Sequence, residues 1–258
     1  MEKHLFLLAN NLKEEIIISS FNFQNEISTK ENDIDINEKE IMLNEIIPIN
    51  TKEKEFEILM NIYQRACDKV LEMVNGVKVE YNSIFNKNII NHTTSRIKAP
   101  KSIITKMKKK NLDLNYKNLV NNINDVAGVR VVCPVKDDVY TMVSIIGKIP
   151  NWNLIAEKDY IKNPKKSGYS GYHMIVEVPV KIFDSYLKNQ IFVKVEIQIR
   201  TMAMDFWAEN EHKMKYKSSK KISFFDSRRL EFYAKAIKFI DNKLAKINKR
   251  QEMKNYKY

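Results

Sequence analysis

Residues 191–200 read IFVKVEIQIR, and the fold turns on how they alternate. Successive side chains of a strand point to opposite faces. Ile191, Val193, Val195, Ile197 and Ile199 therefore form one aliphatic face, and Phe192, Lys194, Glu196, Gln198 and Arg200 form the other. A half-buried antiparallel strand has this pattern, apolar inside and polar in water. The same polar face also serves as the wall of a polar site, because a carboxylate, an amide and a guanidinium at i, i+2 and i+4 share one space. The neighbourhood favours the site. The strand runs into TMAMDFWAENEHKMKYK at 201–217, and a turn rich in Gly, Tyr and Lys, followed by a His, lies upstream.

Working outward, residues 173–180, HMIVEVPV, make a second strand, opened by His173. The turn before it, NPKKSGYSGYH, has two glycines, two lysines and two tyrosines, which suits close approach to a phosphorylated aromatic ligand or an ordinary hairpin. A further strand lies near 153–160, and DDVYTMVSIIGKI at 137–149 is an amphipathic helix. Residues 124–135, NDVAGVRVVCPV, switch to strand period, with Asp125 at the leading end and Gly128 allowing close backbone approach. Pro100 suits a first helical turn. Arg96, Lys98, Ser102 and Lys106 gather around that helix start, either as a phosphate seat or as a solvated basic face. From Thr51 an apolar stripe of Phe56, Leu59, Tyr63, Ala66, Val70 and Val74 predicts a helix that Gly76 stops. Residues 201–217 and 226–250 read as helices, the latter long and basic. The class is α+β: a mixed sheet of about five strands flanked by helices, with a C-terminal helical extension. Residues 1–50 are an acidic N-terminal extension, 51–220 the main domain and 221–258 a basic helix suited to packing on a partner subunit.

Hydrophobic content of 44% supports a real core, and 5 Gly with 6 Pro favour regular elements. Cys67 and Cys133 sit in apolar patterns and read as buried free thiols of a reducing compartment. No apolar run reaches membrane-spanning length and the N-terminus is a poor secretory signal, so a cytoplasmic location is expected. The net charge of +12 is uneven: residues 1–50 carry four Lys against ten acids. Nine basic residues and only Asp113 as an acid lie between positions 87 and 117. Such a body either selects polyanions, nucleic acid or nucleotide phosphates, or reflects the Lys-, Asn- and Ile-rich composition.

SRIKAPKSI, DVAGVRVVC, YIKNPKKSGYSGYH, VEIQIRT and MDFWAENEHKMKYK, in this order and at these distances, resemble the synthetase domain of the RelA/SpoT alarmone enzymes. Over residues 52–220 the chain resembles the single-domain small alarmone synthetases of RelQ or RelP type. The resemblance implies a nucleotidyltransferase-like fold. It also implies Mg²⁺-dependent transfer of pyrophosphate from ATP to the ribose 3′-hydroxyl of GDP or GTP, with GMP a further candidate, leaving AMP. By resemblance Asp125 and Glu196 are the metal-binding carboxylates, Glu196 also orienting or deprotonating the acceptor hydroxyl. Arg96 and Arg130 would flank adenine, and Lys98, Ser102 and Lys106 would meet the ATP phosphates. Lys165 would meet acceptor phosphates, Tyr169 would stack on guanine, and His173 and Gln198 would support the acceptor. A homotetramer is implied as well.

Two departures stand out. The family turn reads GYRSxH, whereas here it is Gly168-Tyr169-Ser170-Gly171-Tyr172-His173, without the Arg. Asp205 stands where many relatives have Asn; it either accepts from guanine N1–H and N2–H or is a helix N-terminal acid. Hydrolase relatives use a His- and Asp-rich metal site, whereas this chain has four His and no His-Asp pair, so synthesis without hydrolysis is expected. The competing reading is a regulatory module that binds nucleotide or single-stranded RNA through its basic tracts, with little turnover.

Overall fold

The computed structural model describes residues 52–181, 190–217 and 224–255. The acidic N-terminal extension expected over 1–50 lies outside the described residues. In order, the elements are α1 (Lys52–Phe85), β1 (His92–Ile97), α2 (Pro100–Lys109), α3 (Tyr116–Asn122), β2 (Ala127–Cys133), α4 (Lys136–Ile146), β3 (Asn153–Asp159), β4 (Tyr172–Lys181), β5 (Gln190–Thr201), α5 (Met202–Lys217) and α6 (Phe224–Asn255). The five strands form one sheet in the order β1-β2-β5-β4-β3. The strand with which the sequence reading began is therefore central. Its aliphatic face is buried from Ile191 to Ile199, as alternation requires.

Two local readings change. Gly76 does not stop α1, which continues for another nine residues to Phe85. A helical Gly costs only about 1 kcal/mol relative to Ala, whereas ending a helix needs a residue that leaves helical φ/ψ. That residue is Asn86, in the left-handed region at φ 48°. The fifth strand is β1, HTTSRI, which lies at the sheet edge and is mostly exposed, so no apolar alternation marks it. The short α3 also escapes a periodicity reading, since Leu119 is its buried residue; Asn115 caps it by accepting from the Asn118 N–H at 2.8 Å.

The described chain forms two compact units. Among the described residues, the first is drawn from 52–66, Arg96–Ala127, 178–181 and 190–195. Its buried side chains include Leu59, Ile103, Met107, Ile123, Val178 and Val193. Within it, Lys194 on the polar face of β5 donates to the carbonyls of Val120 and Asn121 at 3.4 and 3.1 Å. Those carbonyls belong to the last turn of α3, where a cation also meets the negative end of the helix dipole.

Among the described residues, the second unit comprises Cys67–Ser95, Gly128–Glu177, 196–217 and 224–255. Val129, Val131, Met142, Met174, Ile197 and Trp207 are among its buried residues. Here α6 packs against α4 and α5. Thr201 donates to the buried Asp241 of α6 at 3.0 Å, and Lys136 donates to Asn242 at 3.1 Å. Cys67 and Cys133 are buried free thiols. No described helix is long and apolar enough to cross a membrane.

Candidate functional site

Strand alternation delivers Glu196, Gln198 and Arg200 to one face of β5, and the neighbouring β4 brings His173. These side chains close a ring with Tyr169 of the glycine turn. His173 Nδ1 lies 3.1 Å from Glu196 Oε1, and Gln198 Nε2 donates to Glu196 Oε2 at 2.7 Å. Arg200 donates to Gln198 Oε1 at 2.6 Å and to the Tyr169 hydroxyl at 2.7 Å. The Tyr169 hydroxyl lies 2.5 Å from His173 Nε2.

Hydrogen-bond chemistry gives this ring a direction. A guanidinium only donates and an ionised carboxylate only accepts. Tyr169 must therefore accept from Arg200 and pass its own O–H to His173 Nε2. His173, with the ring neutral, then carries its proton on Nδ1 and donates to Glu196. Gln198 is likewise oriented with its oxygen toward Arg200 and its amide N–H toward Glu196. Both arms run from Arg200 and converge on the two oxygens of Glu196. Burial raises the Tyr169 pKa against the opposing influence of Arg200, which keeps the phenol protonated as the ring requires.

Arg200, only 4% exposed, also donates to Asp205 Oδ1 at 3.0 Å. Arg130 reaches the same oxygen at 3.1 Å and Glu209 at 3.2 Å. The Asp205 carboxylate is thus committed to two guanidiniums through Oδ1, and Oδ2 faces His92 at 4.0 Å. The glycine turn is pinned by Gly168 N–H to Lys165 O at 2.8 Å and by Lys165 N–H to Tyr169 O at 3.1 Å. Lys165 holds its ammonium 4.7 and 4.8 Å from the ring centres of Tyr160 and Tyr169. Gly168 has φ 82°, and a Cβ there would overlap the Cβ of Ala234 on α6. A Cβ at Gly171 would come within 3.2 Å of Arg200 Cγ, so the turn can lie against the guanidinium only because that position is bare.

A separate acid cluster sits in the first unit. Asp125 Oδ2 accepts from Lys98 at 3.1 Å and from Lys106 at 2.8 Å. Its Oδ1 is buried without a hydrogen-bond partner among the described residues. Burial pushes this carboxyl up, but the hydrogen bond and charge of Lys106, together with those of Lys98, outweigh it, and its pKa falls below the ordinary carboxylate value. A buried, ionised oxygen without a donor fits a hard divalent cation. Ser102 is exposed in the first turn of α2, whose N-terminus has no side-chain cap, and Arg96 is exposed on β1.

Of the residues singled out in the sequence, Tyr169, His173, Glu196 and Gln198 come together in the ring, joined through Arg200 to Asp205 and Arg130. Lys98 and Lys106 join Asp125. Tyr169 is only 9% exposed, with one ring face toward Lys165 and the Arg200 guanidinium 5.1 Å from its centre. Stacking on a ligand base therefore requires this side chain to leave the ring. Arg200 stands in the polar wall that the strand alternation predicts, and Tyr160 is a site neighbour that the sequence reading does not name. Arg200 was legible as the third polar position of the strand face, whereas Tyr160, whose ring stands edge-on to His173 at 5.2 Å, carried no signal.

The fold that carries the ring and the lysine-held aspartate is that of small alarmone synthetases. The profile described as "Region found in RelA / SpoT proteins" matches residues 95–221. GTP pyrophosphokinase YwaC of Bacillus subtilis is 36% identical over 189 residues, which cover 73% of this chain and 88% of YwaC. The crystal structure of small alarmone synthetase 1 from B. subtilis bound to its product pppGpp superposes with a TM-score of 0.69 at 29% identity, covering 76% of this chain and 98% of that one. A GTP pyrophosphokinase family protein from Streptococcus pneumoniae gives 0.70 at 31% identity, covering 79% and 98%. The chain belongs to the RelA/SpoT family, among its small alarmone synthetases.

Proposed function

We propose that this protein is a GTP pyrophosphokinase that transfers the β,γ-pyrophosphate of ATP to the ribose 3′-hydroxyl of GDP or GTP, forming (p)ppGpp and AMP. The observation that carries this reading is the ring whose hydrogen bonds all converge on Glu196. Held by His173 and Gln198, that carboxylate is oriented to accept the 3′-hydroxyl proton as the oxygen forms its bond to the β-phosphorus. The bond from that phosphorus to the oxygen shared with the α-phosphate breaks, and AMP leaves with the electron pair.

Asp125 and Glu196 are each a carboxylate available to magnesium, which when bound would neutralise charge on the transferred phosphates. Lys98 and Lys106, now on Asp125 Oδ2, are the cations available to donor phosphates, with Ser102 at the uncapped start of α2. Arg96 and Arg130 have the planar cations that would flank a nucleobase. Lys165, Tyr169 and Asp205 form the acceptor set, Asp205 through its second oxygen. The chain works as a synthetase without hydrolysis, in the cytoplasm, and as a homo-oligomer built through α6.

The test pairs ATP and Mg²⁺ separately with GMP, GDP and GTP and follows AMP together with the 3′-pyrophosphorylated product. Glu196→Gln keeps the shape and the bond from Gln198 but loses the base, so kcat should fall at least about 100-fold with the circular dichroism spectrum unchanged. Full turnover in that variant overturns the role of Glu196.

A further inference from the structure

The two residues flanking Tyr169 in the glycine turn stay out of the ring and face elsewhere. Gly168 and Ser170 line a cavity of about 220 Å³ within the same compact unit, closed by α5 and by the middle of α6. Met204, Trp207 and Ile237 supply apolar wall. Two buried donors border this space without a hydrogen-bond partner among the described residues, the Ser170 hydroxyl and the Trp207 indole N–H. Ser170 is 9% and Trp207 5% exposed. An indole N–H can only donate, so only an acceptor completes it, and orphaned buried donors are uncommon enough to need a reason.

The charge around the cavity says which acceptor. Lys165, Lys166, Lys235 and Lys238 border it, against Glu231 and Asp241. Glu231 is already paired with Lys235 at 2.9 Å. Asp241 accepts from Thr201, and burial raises its carboxyl toward the neutral form. Cations and unpaired donors therefore prevail over free carboxylate. A single bridging water is too small, since a water's share of liquid volume is about 30 Å³.

We propose that this cavity binds a small phosphomonoester on a flat apolar body, its phosphate taken by Lys166, Lys238 and the two buried donors and its body lying along Met204, Ile237 and the indole. Occupancy braces the glycine turn against α6, because Gly168 already touches Ala234 across the cavity edge. Binding stands independently of the proposed reaction, whereas the effect of the brace on acceptor nucleotide rests on it.

The chain has two tryptophans, so Trp152→Phe leaves Trp207 as the sole indole reporter. That variant is titrated with phenyl phosphate, with phenol and inorganic phosphate as the two halves of the probe. Expected are a saturable change in emission with phenyl phosphate alone, retained at saturating GDP with a severalfold tighter affinity, as reciprocal linkage to the acceptor requires, and an affinity at least about tenfold weaker after Lys238→Glu. Lys166→Glu, on the turn rather than the helix, serves as a second variant, with circular dichroism checking that each is folded. The acceptor KM should fall severalfold with phenyl phosphate while kcat holds. Flat emission would mean that water alone fills the cavity and would overturn the site, as would equal titration in both lysine variants or displacement by GDP. Saturable, lysine-dependent binding with an unmoved acceptor KM would overturn the brace. Absent turnover beside an intact titration would count against the proposed reaction and leave the site standing.

Discussion

Arg200 is the donor from which both arms of the ring begin, and its fork reaches Gln198, Tyr169 and Asp205 at once. A lysine keeps the charge but not the planar fork. Arg200→Lys should therefore release the tautomer of His173 and the flip of Gln198. Expected are a kcat lower by at least about tenfold, a smaller change in acceptor KM and a displaced pH profile of kcat. Nitrogen-15 NMR of His173 should show the Nδ1–H form losing its dominance; an unchanged tautomer with lowered activity would make Arg200 merely structural. At Asp125 the sign of the pH effect follows from its lowered pKa. An unfolded Asp titrates near about 3.9, so as pH falls the unfolded chain takes up this proton first. The stabilisation is complete above that value and is lost as pH falls through the lower folded value. Asp125→Asn should flatten the acid limb of the melting temperature against pH, read by calorimetry from neutral pH to about pH 3. The carboxylate face of β5 was legible because strand period is strict. The ring's closure was not, since Tyr169 and Arg200 are 31 residues apart and meet only in three dimensions.

At the level of elements, legibility followed burial except at the exposed β3, which the sequence places near 153–160. β2, β4 and β5 alternate against a core, and α1, α2 and α4 show a stripe, so each was readable. β1 is an exposed edge and α3 spans seven residues, and neither leaves a pattern long enough to detect. The glycine turn shows what a turn signal does and does not reveal. Its glycines announced a tight or close-packed loop, but not that Gly168 is seated on a helix from the far end of the chain. Gly168→Ala meets both costs, a left-handed φ and overlap with Ala234. It should lower the melting temperature by a few degrees, an expected loss of about 1–3 kcal/mol, and raise the acceptor KM more than the ATP KM. Equal shifts in the two constants would detach the turn from the acceptor.

Across the molecule, α6 is the element with two apolar sides. Ala234 and Asp241 face the body, while Phe225, Phe232 and Phe239, seven residues apart, stand exposed with Tyr233, Ile240 and Ile247 on the opposite side. Contiguous exposed apolar stripes of this kind mark contact surfaces, and a second copy of the same helix is the occupant proposed here. Phe232→Asp should convert the assembly to a smaller species in analytical ultracentrifugation, with the fold kept. A sedimentation profile identical to the parent chain's would reject α6 as the contact.

With a second copy seated there, the same rod would carry a message through its own thickness. A helix with its side chains is about 10–12 Å across, and that is all that separates the stripe left to other copies from the alanine on which the glycine turn rests. Dilution would thus become a chemical variable: as neighbours detach, the seat under the turn loosens, and the apparent grip on guanine nucleotide should weaken with falling enzyme concentration.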